Sequence, residues 1–325
     1  MPDVSLITSL YKTEQFLPRY VEAAKKLARE VKRAGLDLEF VIIPNDASDE
    51  ERRLLTGLDK FLVAEQIATL QIHYVALETL YATWNRGVKA ATGKVVGIWN
   101  VDDTRTMRGI VEAHQLIVEQ GYDLVDFPVH YVITENILGL EHIIQKDAPP
   151  QYNPAQIHPK NCTGPFFMMN PVVYERAGEF DPNFRVSGEF EWCMRDAVRQ
   201  SKIGYGEQIA GTFYLHGNNI TQSSGSLEWI VYNISLLRHQ VYDSLYPVDP
   251  VQMRELWEAW GDTGVPVPDH AKEFLWGEGA QERYERYRME RKLPSFVRRI
   301  MLALAKRGLI YSADWEVHHG KSSTG

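Results

Sequence analysis

The chain is predicted to be an α/β protein with a mostly parallel central sheet and helices on both faces. Two observations carry the prediction. Short apolar runs alternate with amphipathic stretches of about 10–15 residues, the pattern of repeated strand–helix units. Polar clusters follow the second and fourth runs, where such sheets bind ligands at the carboxyl ends of their strands.

Each element has its own signal. Val4 to Thr8 is a first strand, apolar and almost at the start. Phe16 to Ala34 is a helix, with Phe16, Tyr20, Ala24, Leu27 and Val31 on one face and Pro18 in the first turn. Leu38 to Ile43 is a second strand, ended by Pro44-Asn45-Asp46. Ser48 or Asp49 then caps a helix through Arg53 and Leu58. Leu70 to Val75 is a third strand, and Tyr81 to Ala91 a helix stopped by Gly93. Val95 to Trp99 is a fourth strand, running into Asn100-Val101-Asp102-Asp103. Met107 to Glu119 is a helix ended by Gly121, and Leu124 to Val132 another strand. From about Leu227 helical stretches dominate, with frequent Trp. A boundary near Ser224-Gly225 therefore separates residues 1–224 from a helical extension over 225–325.

Composition narrows the function. Of 325 residues 44% are hydrophobic and 24% charged, as in an ordinary globular chain, and a net charge of −8 argues against a nucleic-acid binder. Two cysteines are too few for a disulfide framework, so a cytoplasmic location is expected. The first residues carry no basic, apolar leader, and no window reaches the roughly 18 apolar residues of a membrane span. The glycine fingerprint of dinucleotide folds, the phosphate-binding P-loop and the G-x-S-x-G elbow are all missing, which disfavours a nicotinamide oxidoreductase. A phosphate-bearing ligand is then expected to be held through a divalent metal on carboxylates.

Asp102 and Asp103 read in two ways: as oxygen ligands of Mg²⁺ or Mn²⁺, or as a solvated turn in which Asp103 or Thr104 caps the next helix. Their company decides. Ser5 to Tyr11, the Asn45-Asp46-Ala47-Ser48-Asp49 turn, Trp84-Asn85-Arg86-Gly87 through Gly93-Lys94, and Asn100-Val101-Asp102-Asp103 occur in this order. Further on come Phe167 to Asn170 with Ala177-Gly178-Glu179-Phe180-Asp181, then Gly188-Glu189-Phe190-Glu191-Trp192-Cys193-Met194-Arg195. Over about residues 3–224 the set resembles family 2 glycosyltransferases, which have the GT-A fold.

The resemblance implies nucleotide-sugar binding in about residues 1–103, the acceptor side in 104–224, and roles at matching positions. Asp46 matches the acid that contacts the nucleotide base, and Thr8 and Tyr11 lie in the first strand and its loop, lining the same pocket. Asp102 matches the last carboxylate of the D-x-D motif, which holds the metal on the diphosphate. Asn100 stands where that motif usually begins with Asp and is expected to reach the ribose or a metal-bound water. Asn85 and Gly87 are expected to shape the donor pocket, Gly87 by permitting close backbone approach. Glu189 falls six before Arg195, where the family has its catalytic Asp, and is expected to be the base. Glu191 is the neighbouring alternative, although residues two apart on a helix face different ways; both acids also suit a helix's first turn. His216 follows the apolar strand Ala210 to Leu215 and is read either as a third metal or pyrophosphate contact or as a structural histidine. Trp84, Trp99 and Trp192 are expected to be core residues, and Cys162 and Cys193 buried thiols.

The implied activity is an inverting transfer from a nucleoside-diphosphate sugar to a hydroxyl of a glycan or lipid-linked acceptor, with Mn²⁺ or Mg²⁺. The competing expectation is a GT-A relative that binds a sugar nucleotide without transfer. Gln281 to Ile310 carries nine Arg and Lys against three Glu, a net of +6, beside the apolar stripe Phe296, Val297, Ile300, Met301, Leu304. Such a stretch either packs on the catalytic domain or lies on an anionic membrane face.

Overall fold

The computed structural model describes residues 1–137, 140–155, 162–184 and 186–215, and beyond them positions 234, 235, 238, 239, 269 and 277. The His216 loop, the basic stretch 281–310 and most of the expected extension lie outside the described residues. The chain divides into two compact units, Met1–Gln156 with Lys160–Gly225, and Ile157–Pro159 with Ser226–Gly325.

In the first unit, β1 (Val4–Leu10) and β2 (Leu38–Pro44) are buried almost throughout, as strands covered on both faces must be. Between them α1 (Leu17–Arg33) buries Tyr20, Ala24, Leu27, Ala28 and Val31, a stripe at helical spacing. The helix α2 (Asp49–Glu65) opens on a capping box: the Ser48 hydroxyl accepts the Glu51 N–H at 3.3 Å, and the Glu51 carboxylate accepts the Ser48 N–H at 3.0 Å. Gln66 ends α2 in the left-handed region, so β3 (Ala68–Ile72) starts two residues before the expected position, with Ala68 opposite Leu38.

Thr79 caps α3 (Leu80–Ala90), which leads to β4 (Val95–Ile98). After the short β5 (Thr104–Arg105), α4 (Met107–His114) does not continue as an α-helix to Glu119 as expected. It widens into a π turn over Gln115–Glu119. The single strand expected over 124–132 is two, β6 (Leu124–Asp126) and β7 (Val129–Ile137), parted at Phe127-Pro128, where Pro128 has no N–H to continue a ladder. The strand β8 (Leu140–Ala148) pairs with β7 in an antiparallel hairpin that the sequence reading lacked. Then follow β9 (Met168–Met169), α5 (Pro171–Ala177), α6 (Gly188–Met194), α7 (Asp196–Arg199), β10 (Ile203–Tyr205) and β11 (Gly211–Leu215).

The main sheet has the order β10-β6-β9-β4-β1-β2-β3, parallel except at β9, which runs against both neighbours. The predicted mostly parallel α/β architecture is therefore present. A second sheet, β5-β11-β7-β8, is entered where the chain leaves β6. Trp99 is buried against Tyr20 and Phe40, Trp192 against Phe167 and Phe180, and Trp84 against Tyr81 and Phe180, all core residues as expected. Cys193 is buried, which pushes its thiol up to about 12, whereas Cys162 is only half-buried.

The crossing from one sheet to the other hangs on Asp126. Its buried carboxylate accepts the N–H groups of Phe127 and Gly164 on one oxygen, at 3.0 Å each, and of Gln151 and Tyr152 on the other, at 2.8 and 2.9 Å. Asp126→Asn points an amide NH₂ at two of those donors. It is expected to cost about 2 kcal/mol, read as a lower denaturant midpoint; an unchanged midpoint contradicts this role.

Candidate functional site

The carboxyl ends of β2, β1 and β4 form one edge. Leu10 of β1 lies opposite Pro44, and Ile7 opposite Ile98. Backbone bonds extend the pairing, from Asn45 N–H to the Leu10 carbonyl and from Trp99 N–H to the Ile7 carbonyl, both 2.8 Å. The polar runs after β2 and β4 thus flank the loop after β1.

After β2, buried Asn45 clasps the backbone of Glu78. It donates to the Glu78 carbonyl at 2.7 Å and accepts the Glu78 N–H at 2.9 Å. This fixes the turn against the start of α3. Asp46 follows with φ 53°, a left-handed position that Asp tolerates better than most residues. Its N–H goes to the Val75 carbonyl at 3.0 Å, and the residue is exposed at the edge.

The loop after β1 exposes Tyr11 and Lys12, with the ammonium 5.1 Å from the Tyr11 ring centroid. Thr13 closes it: its N–H and hydroxyl donate to one Glu51 oxygen at 2.8 and 2.6 Å. Glu51 therefore braces this loop and the Asp46 turn together. Its signal in the sequence is the Ser48-x-x-Glu51 spacing. Thr8, in contrast, is fully buried within β1, its hydroxyl 2.8 Å from that of Tyr20. It faces α1 and serves packing, not the rim of a pocket.

The adjacent acids after β4 part company. Asp103 is buried; it accepts the Tyr214 N–H of β11 at 3.1 Å and the Asn100 amide at 3.3 Å. Burial, and then the neighbouring Asp102 charge, push its carboxyl well above the usual range. The helix cap expected of Asp103 or Thr104 falls instead to Thr106, whose hydroxyl accepts the Gly109 N–H at 3.1 Å. Asp102 is partly exposed, and its backbone carbonyl accepts the Arg19 guanidinium, which also lies 4.2 Å over the Tyr214 ring. Asn100 is partly exposed as well. Asp102 and Asn100 are hard oxygen donors. They fit Mg²⁺ or Mn²⁺, which pair one or two carboxylates with phosphate oxygens and water. Among the described residues no three His, Cys, Asp or Glu side chains cluster as a metal site.

Glu189 stands in the first turn of α6, partly exposed. Its Oε2 accepts the Tyr81 hydroxyl, and that hydroxyl accepts the Gly188 N–H at 2.7 Å. Tyr81 is the second residue of α3, whose start is tied to Asn45, so Glu189 reaches the same edge of the sheet. Glu191 points elsewhere. It is buried and bonded twice to the Arg195 guanidinium, at 3.3 and 2.7 Å. Asn85 and Gly87 act through packing. The Asn85 amide donates to the Phe180 carbonyl at 2.7 Å and accepts from Phe180 N–H and Tyr174 hydroxyl at 2.9 and 2.8 Å. Gly87 makes room for Ile7 of β1, so the close approach it permits is helix to strand. Among the described residues no helix is long and apolar enough to cross a membrane.

A family model described as glycosyl transferase family 2 matches residues 5–177. No curated protein matches the chain. Among solved structures, S. aureus TarS 1–349 in complex with UDP-GlcNAc is similar at 13% identity and a TM-score of 0.58, over 95% of this chain and 93% of that one. The mannosyltransferase PcManGT from Pyrobaculum calidifontis, in complex with GDP-Man and Mn²⁺, is similar at 11% identity and a TM-score of 0.52, over 97% and 84%. At such identities the likeness is one of fold.

Proposed function

The chain belongs to glycosyl transferase family 2, and from that premise we propose that it is an inverting glycosyltransferase dependent on Mn²⁺ or Mg²⁺. Its donor is a nucleoside-diphosphate sugar and its acceptor a hydroxyl of a glycan or lipid-linked molecule. The supporting observation is the shared edge: exposed Asp46 and partly exposed Asp102 stand on either side of β1, and Glu189 reaches the same edge through Tyr81. In this scheme Asp46 and the Tyr11 loop hold the nucleotide. Asp102, with Asn100 and with His216 from outside the described residues, would hold the cation and diphosphate. Glu189 takes the proton of the acceptor hydroxyl as its oxygen bonds to the anomeric carbon and the bond to the diphosphate breaks on the opposite face. A bound divalent cation supplies charge neutralisation for the departing diphosphate.

A thermal-shift screen of UDP and GDP sugars, with and without Mn²⁺, tests the donor class. A ligand at 100 times its Kd adds about 2.7 kcal/mol. Stabilisation by a sugar nucleotide, followed by its slow hydrolysis, supports the assignment. Stabilisation without any hydrolysis or transfer favours the binding protein, and no stabilisation by any nucleotide contradicts both.

Asp46→Ala should weaken nucleotide binding about tenfold or more, equally with and without cation, because a hydrogen bond to a charged group is worth about 1.5–3 kcal/mol. Calorimetry with UDP and GDP checks this. Unchanged affinity for whichever nucleotide binds the parent removes Asp46 from the site.

A further inference from the structure

Gly188 stands where the resemblance has an acid, and the space such a side chain needs is taken. A Cβ added there would lie 2.7 Å from Tyr81 Cε2 and 2.8 Å from Cζ. The ring itself is held by Trp84, edge-on at 5.1 Å, and by Phe180 at 6.1 Å. The phenol is buried, and its hydroxyl is doubly engaged, accepting from Gly188 N–H and donating to Glu189. Taking Glu189 as the base of the proposed reaction, we propose that Tyr81 is its positioning residue: one buried hydroxyl fixes both the start of α6 and the Glu189 carboxylate, and holds that carboxylate in the ionised form that accepts a proton. Tyr81 acts through Glu189 and is not itself assigned contact with substrate.

The chemistry follows from the hydrogen-bond direction. A donor bonded to a carboxylate favours its charged form, so losing it raises the carboxyl's pKa. Burial, and then the Glu189 charge, push the Tyr81 phenol well above its ordinary range, which keeps it a donor. Among the described residues, the charged groups on the elements around Glu189 have these pairings. On α3, Arg86 pairs with Glu78 and Lys89 with Glu179; on α6, Glu191 pairs with Arg195; on α7, Arg199 pairs with Asp196. Cys193 is a buried thiol on Glu189's own helix, and Asp181 accepts from Asn183 in the segment before it.

The test is a direct titration of Glu189 in the full chain, labelled with ¹³C at its glutamate carboxyls, the signal being assigned by its loss in Glu189→Gln. Tyr81→Phe keeps the ring and is expected to raise the Glu189 midpoint by about one pH unit or more, with a melting temperature lowered by the Gly188 N–H left without its acceptor. An unmoved midpoint overturns the proposal. Should Tyr81→Phe not fold, Gly188→Ala displaces the ring instead and must give the same upward shift; an unmoved midpoint there overturns the proposal equally. Transfer by Glu189→Gln separates the two assignments. Normal transfer overturns Glu189 as base, whereas lost transfer beside an unmoved midpoint in Tyr81→Phe overturns only the role of Tyr81.

Discussion

Glu189→Gln is expected to lower transfer by about 10²–10⁴, the usual worth of a positioned general base, while donor affinity stays within a few-fold. Glutamine keeps the shape and an oxygen that can accept the Tyr81 hydroxyl, but it cannot take a proton from the acceptor. Donor contacts are assigned to Asp46 and Asp102, on loops that Glu189 does not brace. Glu189→Asp should be milder, since it restores the family's residue but withdraws the carboxylate by one methylene. The comparison with Glu191 is sharper than sequence alone suggests. By sequence the two acids stand as alternatives for one role. Glu191 is instead buried in a bidentate pair with Arg195, which also donates to the carbonyls of Ala177 and Glu179 at 2.8 and 2.7 Å. Removing its charge leaves a guanidinium half paired and should cost about 2–3 kcal/mol of stability. The two glutamines therefore fail in different ways: Glu189→Gln stays folded and loses turnover, Glu191→Gln melts earlier and binds donor normally. Initial rates, calorimetric donor affinity and melting curves on both variants check this. If Glu191→Gln abolishes transfer in a fully folded protein while Glu189→Gln transfers normally, the base is Glu191.

The parts of the fold legible in the sequence are those whose burial leaves a local mark. β1, β2 and β4 are apolar on both faces because helices cover both, and no other element produces such runs so close to polar clusters. The stripe of α1 is as plain. The β7–β8 hairpin left no such mark. Between the paired Ile137 and Leu140 the sequence has Leu138-Gly139, not the Asn-Gly or Asp-Gly pair that announces a tight turn, and the strands mix polar and apolar residues. The π turn after α4 is silent for another reason: one widened turn hardly changes the spacing of apolar residues. At the site, position along the strand ends was readable, but the direction of a side chain was not. Thr8 precedes the β1 loop and yet turns inward to Tyr20. Asn85 and Gly87 hold α3 in place, and Glu51 supports two loops from beneath.

Asp102 and Asp103 show the same limit most clearly, because what distinguishes them is Tyr214, 111 residues away. The expected outcome is a clean division between binding and stability. Asp103→Ala takes from the Tyr214 N–H and the Asn100 amide the carboxylate they donate to. It also removes the charge that offsets buried Arg105. Burial lowers that guanidinium from its ordinary range and the Asp103 charge opposes the change; its hydrogen bonds go to the carbonyls of Phe166, at 3.0 Å, and Ile98, and to Met168 Sδ at 3.3 Å. A cost of about 3 kcal/mol follows, or a melting temperature lower by roughly 6–12 °C for a domain of this size. Asp102→Ala touches a partly exposed side chain and should leave stability within about 0.5 kcal/mol. What it should remove is the gain in UDP or GDP affinity that Mn²⁺ confers on the parent, since the carboxylate assigned to the cation is gone. Calorimetry with and without Mn²⁺, beside melting curves for both variants, reads the two effects separately. A stable Asp103→Ala that loses the cation-dependent gain, beside an Asp102→Ala that keeps it, exchanges the two roles. A gain retained in both variants places the cation on other residues altogether.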